Sequence, residues 1–321
     1  MNLAELAGKT FLDSAFPLPL ERPFTAAQAR AEGVTGFQLR WLGTHGYLRS
    51  PIKSVYLATQ AGDSTLLRCQ ALALVVPEDC VVCDRHAGWL LGAAMVLAPN
   101  EHINLRPISV FRPSGMGRLR NALADSGERN LIPSDIVEIG GIRVTSALRT
   151  AWDLGRVRWT DQAISGIDAV LRLGSFTHEE FLGGVERFRG MRWVTVLRAV
   201  APLGDGRSQS PGESVLRLRW IEVHLPTPHP QLEVYRGSDL IAILDIANED
   251  LRYAAEYDGV EWHTSEDQRE HDRRRRDEVR DEEWVVDAFV AENLFGHHQD
   301  AEAKLLAGAA EARRRFGARV A

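Results

Sequence analysis

The chain has 321 residues, 45% hydrophobic and 26% charged, with a formal net charge of −6 and a pI near 6.0. That length supports two or three domains with their own cores, and the balance is that of an ordinary soluble globular protein. No apolar run reaches the roughly 20 residues that span a bilayer, and MNLAELAGK lacks a basic stretch before an apolar core, so a cytoplasmic protein with no membrane partner is expected.

The first recognisable element is a helix capped by Thr25 and ended by Gly33, followed by a second helix, Gly36 to Thr44, capped by Thr35. Tyr47 to Ser50 and Ser54 to Leu57 then alternate in polarity around Ser50-Pro51 as a small hairpin. Two short helices before a hairpin predict a winged helix-turn-helix, whose second helix enters the major groove of double-stranded DNA. With Leu39 and Leu42 turned inward, Gln38 and Arg40 are the candidates to read bases, and Arg49 and Lys53 to grip phosphate from the wing. Winged helices also serve as protein-interaction modules, which leaves a second use open.

Cys69, Cys80 and Cys83 are an odd set in apolar, strand-like sequence and read as buried thiols; one Cys-x-x-Cys without a second ligand pair is weak support for zinc. The winged-helix segment, together with TLLRCQALALVVPEDCVVCDRHAGWLLG and GIRVTSALRTAWDLGR, resembles the AbiEi-type antitoxin family from about Phe24 to Trp159. The resemblance implies an α/β domain behind the winged helix and a repressor of its own operon, with no catalytic residue there. Within it, Thr145 or Ser146 is expected to cap a helix on which Arg149 and Asp153 form an ion pair worth roughly a few tenths of a kcal/mol. His86 reads as a satisfied core or helix-start residue.

From Thr160 to Val200 the spacing of Ile164, Ile167, Val170 and Leu171, and the pairing of Thr177 with Glu180, predict connecting helices. Pro202 to Ser210 is rich in Gly, Ser and polar residues and reads as a linker. Ser210, Pro211 and Glu213 then form a capping box at the start of another helix. The acidic excess of the chain lies after this point, while the part before it is slightly positive.

Leu240 to Ile246 and Tyr253 to Tyr257 are apolar and β-prone, and Asn248-Glu249-Asp250 is turn chemistry, which together predict a β-hairpin. A turn centred on Glu249 and Asp250 sets Asp245 opposite Ala254, with Glu256 and Asp258 on the same side; a slip by one residue would turn Asp245 away. A solvated acidic edge is the ordinary reading of such residues. The apolar neighbours Ile241, Ile243, Leu244, Ile246, Ala254 and Ala255 argue instead for a hairpin inside a sheet. Converging carboxylates repel and are tolerated where a cation neutralises them, and hard oxygen ligands suit Mg²⁺ or Mn²⁺.

LDIAN, AAEYDG and His263, preceded by Ser210-Pro211-Gly212-Glu213-Ser214, resemble the very-short-patch-repair-like (Vsr-like) branch of the PD-(D/E)XK nuclease superfamily, from about Arg207 to Phe316. The resemblance implies a mixed sheet flanked by helices, with Asp245 and Glu256 as metal ligands and Glu213 as an additional acid. The superfamily's motif lysine falls at Asp258, and the lysines of this chain are Lys9, Lys53 and Lys304. His263 or Asp258 is the natural replacement as proton carrier. Where relatives carry a basic residue on the strand from Trp284 to Ala291, this chain has Asp287-Ala288. Arg273 to Arg276, on a charged helix, could meet a polyanion.

The expectation is an α/β (α+β) chain: a winged helix-turn-helix at 1–60, an AbiEi-like α/β domain at 61–160, a helical connector at 161–201 and a Vsr-like nuclease domain at 202–321. Its expected activity is Mg²⁺-dependent cleavage of double-stranded DNA, in defence against phage or foreign DNA, by a chain that can pair with a second copy. The alternative is an AbiEi-type repressor whose nuclease fold is non-catalytic and whose partner is a toxin.

Overall fold

The computed structural model describes residues 8–98, 101, 107–120, 124–259, 279, 281–297 and 299–317. These form a mixed α/β protein with three sheets, and none of their helices is long and apolar enough to cross a membrane. Contacts divide the chain into two compact units, Met1–Leu154 and Gly155–Ala321.

The first unit opens with β1 (Phe24–Thr25), α1 (Ala26–Ala31), α2 (Gly36–Thr44) and the hairpin β2 (Leu48–Ile52) and β3 (Val55–Ala58), in sheet order β1-β3-β2. Both helices begin with capping boxes, Thr25 with Gln28 and Thr35 with Gln38, each satisfying two backbone N–H groups that a helix start leaves exposed. Leu39 and Leu42 are buried with Phe24, Val34 and Leu48, as their spacing predicts.

The same unit continues through α3 (Thr65–Ala73), β4 (Val81–Val82), α4 (Asp84–Leu90), β5 (Ile108–Pro113), β6 (Ala124–Arg129), β7 (Ile136–Ile139), β8 (Ile142–Thr145) and α5 (Ala147–Gly155). The strands form one mixed sheet in the order β6-β5-β4-β8-β7. All three cysteines are free and buried, but Cys69 lies on helix α3 and not in a strand. Burial pushes its thiol up to about 11. Ser146 caps α5, accepting the Arg149 N–H at 3.3 Å, while Thr145 bonds Thr150 instead. The Arg149–Asp153 pair is not the exposed helical pair expected from its spacing: both side chains are 1% exposed, and Arg149 also reaches Asp135 at 2.8 Å. His86 is buried as expected but only half satisfied. Its Nδ1 accepts the Ser109 N–H at 3.2 Å while Nε2 has no partner, and burial, with help from Arg85, lowers its pKa to about 4.

The second unit contains α6 (Thr160–Leu171), α7 (His178–Gly183), α8 (Val194–Val200), α9 (Pro211–Glu222), β9 (His229–Arg236), β10 (Asp239–Asn248), β11 (Tyr253–Tyr257), β12 (Val285–Phe289), α10 (Ala291–Leu294) and α11 (Ala301–Phe316). The helices expected as a connector therefore share a unit with the sheet. Residues 202–210 are no slack linker either. Asp168, fully buried on α6, accepts the Asp205 N–H at 2.8 Å and the Arg217 guanidinium at 2.7 Å, and Arg217 also donates to the Leu203 carbonyl. A carboxylate without water needs such donors, so it draws the preceding loop onto α6 and α9.

The sheet of this unit runs β12-β11-β10-β9. Strands β9, β10 and β11 are an antiparallel meander, and β12 is parallel to β11. One face sets Ile246, Tyr253, Ala255 and Phe289 into a core with Trp220 of α9 and Leu305 and Ala309 of α11. Trp220 stacks on Tyr253 with ring centres 5.2 Å apart, and its indole N–H finds the Pro226 carbonyl at 2.8 Å. Gly308 lets α11 close on this face, since a Cβ there would collide with Asp287 and the Tyr253 ring. A second core joins Val234, Ala242 and Leu244 to Ala247, Ala254, Val279 and Trp284.

Asp168→Ala would leave the Arg217 charge buried without its carboxylate, a class of change that costs about 3 kcal/mol or more. Denaturant unfolding should show that loss in the transition of the second unit. The double change Asp168→Leu with Arg217→Met should recover much of it; a double variant no better than the single one would refute the assignment.

Candidate functional site

The hairpin forms as the sequence predicts, but its register differs by two residues. Ile246 pairs with Ala255, Ala247 with Ala254 and Asn248 with Tyr253. Continuing by one rung sets Asp245 opposite Glu256, not opposite Ala254. The shift arises in the turn: β10 extends to Asn248, whose carboxamide oxygen accepts the Leu251 N–H at 3.0 Å, and Arg252 takes a left-handed φ of 52° to close four residues rather than two. An even shift preserves sidedness, so Asp245 and Glu256 still share the face of Ala247 and Ala254.

The third carboxylate comes from α9. Pro211 occupies the first helical position, and the Glu213 N–H donates to the Ser210 hydroxyl at 3.1 Å. The Glu213 carboxylate reaches past Ser210 to the Gln209 N–H at 2.7 Å, one residue earlier than a standard capping box. Gly212 lets this helix start lie on the sheet, because any Cβ there would strike the Tyr257 ring. Glu213 is thereby 7% exposed and Glu256 5% exposed.

A residue not identified from the sequence completes the cluster. On β9, Leu232 pairs with Leu244 and Pro230 with Ile246, which puts Gln231 opposite Asp245. Its amide nitrogen lies 3.0 Å from Glu213 Oε2 and 3.5 Å from Asp245 Oδ1, while its carbonyl accepts from the Gln209 amide at 2.6 Å. The remaining Asp245 oxygen accepts the Tyr257 N–H at 2.8 Å. Following the register outward by one strand would have exposed Gln231, but a lone amide in a strand carries no signal of its own.

Burial is the largest influence on Glu213 and raises its carboxyl pKa; the Gln209 N–H opposes that, and the Asp245 charge adds to it. Asp258 stands apart from the buried acids: it is exposed at the end of β11, and its N–H donates to the Phe289 carbonyl at 2.8 Å. His263 and Arg273 to Arg276 lie outside the described residues. Asp287 is turned to the helix-covered face, where it accepts the Tyr253 hydroxyl at 3.0 Å, so it does not confront the cluster. Ala288, paired with Glu256, does. The available donors, carboxylate and amide oxygens, are those a hard divalent cation prefers. Oxygens of Glu213 and Asp245 are engaged by N–H groups, and among the described residues no group of three His, Cys, Asp or Glu side chains is drawn together tightly enough to hold an ion.

In the first unit Arg40 and Lys53 are exposed, on α2 and at the β2–β3 turn. Gln38 is not poised to read bases, since its amide oxygen is bound to the Thr35 N–H at 2.8 Å in the capping box. Arg49 is also committed elsewhere: it donates to the Gly62 carbonyl and lies 3.7 Å from Asp63, because the chain after β3 returns beside β2.

No family model matches the chain. Two uncharacterized proteins of Mycobacterium tuberculosis are similar to it, MT2308 of strain CDC 1551 and Rv2248 of strain H37Rv. Each is 29% identical over 209 residues, covering 65% of this chain and 76% of the relative. Neither name states an activity.

Glu213, with its folded-state pKa raised, lends stability that is fully present below its unfolded value and is lost as pH rises through the folded value. Glu213→Gln should therefore flatten the decline in stability above pH 4.5, measured by urea unfolding across pH. An unchanged slope would show that this carboxyl is not perturbed. Gln38→Ala should cost the head about 1 kcal/mol in thermal unfolding through the lost cap.

Proposed function

We propose that the chain is a divalent-metal-dependent nuclease with a DNA-binding winged-helix head. What carries this reading is the place of Asp245 and Glu256, each one residue beyond the Ile246–Ala255 rung of adjacent strands, with Glu213 of α9 linked to Asp245 through the Gln231 amide. A meander of three antiparallel strands with a fourth strand parallel to the third, and helices on one face, supports the Vsr-like resemblance. So does the raised pKa of Glu213, since neighbouring carboxylates that resist ionisation together are relieved by a cation.

Asp245, Glu256 and Glu213 would hold the ion, Mg²⁺ or Mn²⁺, once drawn closer around it, and Gln231 bridges Glu213 and Asp245. A bound ion polarises the scissile phosphate and lowers the pKa of water. Asp258 stands where the superfamily carries lysine; being exposed and acidic, it accepts a proton rather than stabilising phosphate charge, and His263 shares that role. On the head, Arg40 meets the major groove and Lys53 the phosphate backbone, with Gln38 and Arg49 contributing structure.

The expected outcome is Mg²⁺- or Mn²⁺-dependent cleavage of DNA by the purified chain, lost by at least a hundredfold in Asp245→Ala and Glu256→Ala while DNA binding persists. A folded sample that cuts neither DNA nor RNA with either ion would sink the proposal. Arg40→Ala should weaken duplex binding and lower its salt dependence.

The substitution of Asp258 for lysine favours a second reading, in which the second unit is a non-catalytic partner surface and the chain represses its own promoter beside a toxin. Sequence-specific promoter binding unchanged by Asp245→Ala, with no cleavage by the unaltered chain, would select it.

A further inference from the structure

The helical part of the second unit carries a basic and aromatic surface that the carboxylate cluster does not use. Arg156 to Trp159 lead into α6, and Arg187 to Trp193 lead into α8. The two stretches adjoin, because the guanidinium groups of Arg156 and Arg187 lie 4.7 and 5.7 Å from the centre of the Phe188 ring. Arg158 covers Trp159 at 4.5 Å and Arg192 covers Trp193 at 5.0 Å. Trp159 is 56% exposed, and Arg158, Arg187, Arg189 and Arg192 are exposed too.

Neither stretch contains an acid. The acids next to them in sequence are engaged chiefly by other arginines: Asp161 accepts Arg219 at 2.7 and 2.8 Å, and Glu186 accepts Arg198 at 2.8 Å through each oxygen, with Arg189 farther off at 3.9 Å. Among the described residues Arg158 and Arg192 have aromatic partners and no carboxylate partner. Trp193 is also held at φ 62°, a left-handed conformation that bulky side chains rarely adopt. Strain of that kind persists only where the surroundings enforce it.

We infer that this arginine–tryptophan surface grips the phosphodiester backbone of DNA. A guanidinium held over an indole can still offer N–H donors to phosphate while losing little further freedom on binding. The exposed ring of Trp159 can in addition stack on an unpaired base. The inference rests on the nuclease reading and deepens it, since a unit with an acidic cluster needs a separate cationic surface to retain a polyanion.

The test uses the full chain in EDTA, with a labelled duplex and a labelled single strand of the same sequence, titrated at several salt concentrations. Combining Arg158→Ala with Arg192→Ala should reduce the slope of log K against log salt by about 2 in magnitude and weaken binding at least tenfold. Lysine at both positions should restore the slope, and an unaltered melting curve shows that the variants fold. An equal loss for both probes assigns the contact to phosphate alone. A larger loss for the single strand, with the quenching of tryptophan fluorescence abolished, adds base stacking. Unchanged slope and affinity in the double alanine variant, or no binding of either probe by the unaltered chain, overturns the inference. In a parallel assay with Mg²⁺ in place of EDTA, cleavage that persists with unchanged binding removes this surface and spares the nuclease reading. Surface-dependent binding by a chain that never cuts does the reverse.

Discussion

Because side chains alternate along a strand, the pairing of Ile246 with Ala255 commits Ala247, Ala254, Asp245 and Glu256 to one side of the sheet and Ile246, Tyr253 and Ala255 to the other. The second side is bound to α9 through Trp220 on Tyr253 and to α11 through Gly308, so a one-residue slip of β10 would withdraw Ile246 from that core. That penalty holds the register. The Asn248 carboxamide reinforces it by joining the Leu251 N–H to the Thr227 carbonyl, so the turn is tied to the approach to β9 as well as to itself.

The second unit surrounds two buried carboxylates differently, and burial raises the pKa of both. Asp168 receives a guanidinium and a backbone N–H, which turn an expensive charge into a clamp for the loop ahead of α9. Glu213 receives only neutral donors and faces the charge of Asp245, so its ionised form stays costly. The first, although burial raises its pKa as well, has a cationic partner and ties down a loop. The second carries stored electrostatic cost at a concentration of oxygen ligands, the arrangement that a cation would relieve.

A similar contrast separates the two proposed DNA contacts. In the head, two of the four polar residues singled out by position, Gln38 and Arg49, turn out to satisfy backbone groups of their own fold. In the second unit, Arg158 and Arg192 rest on tryptophans and are exposed. Arg49 is half-buried where Arg158 and Arg192 are exposed, and the partner each one meets sets it apart further.

Local interactions made much of this protein legible. The caps at Thr25, Thr35, Thr177 and Ser210, the buried Leu39 and Leu42, and the two strands around Asn248 all depend on groups within four residues or on one alternating pattern. Sidedness of Asp245 and Glu256 was legible for the same reason, since it depends only on parity. The tertiary structure decided the rest. It chose a four-residue turn over a two-residue one, put Gln231 opposite Asp245, buried Arg149 between Asp135 and Asp153, and turned Asp287 away toward Tyr253. Each of these depends on which distant strand or helix lies alongside, and a buried polar group takes whatever partner that neighbour supplies.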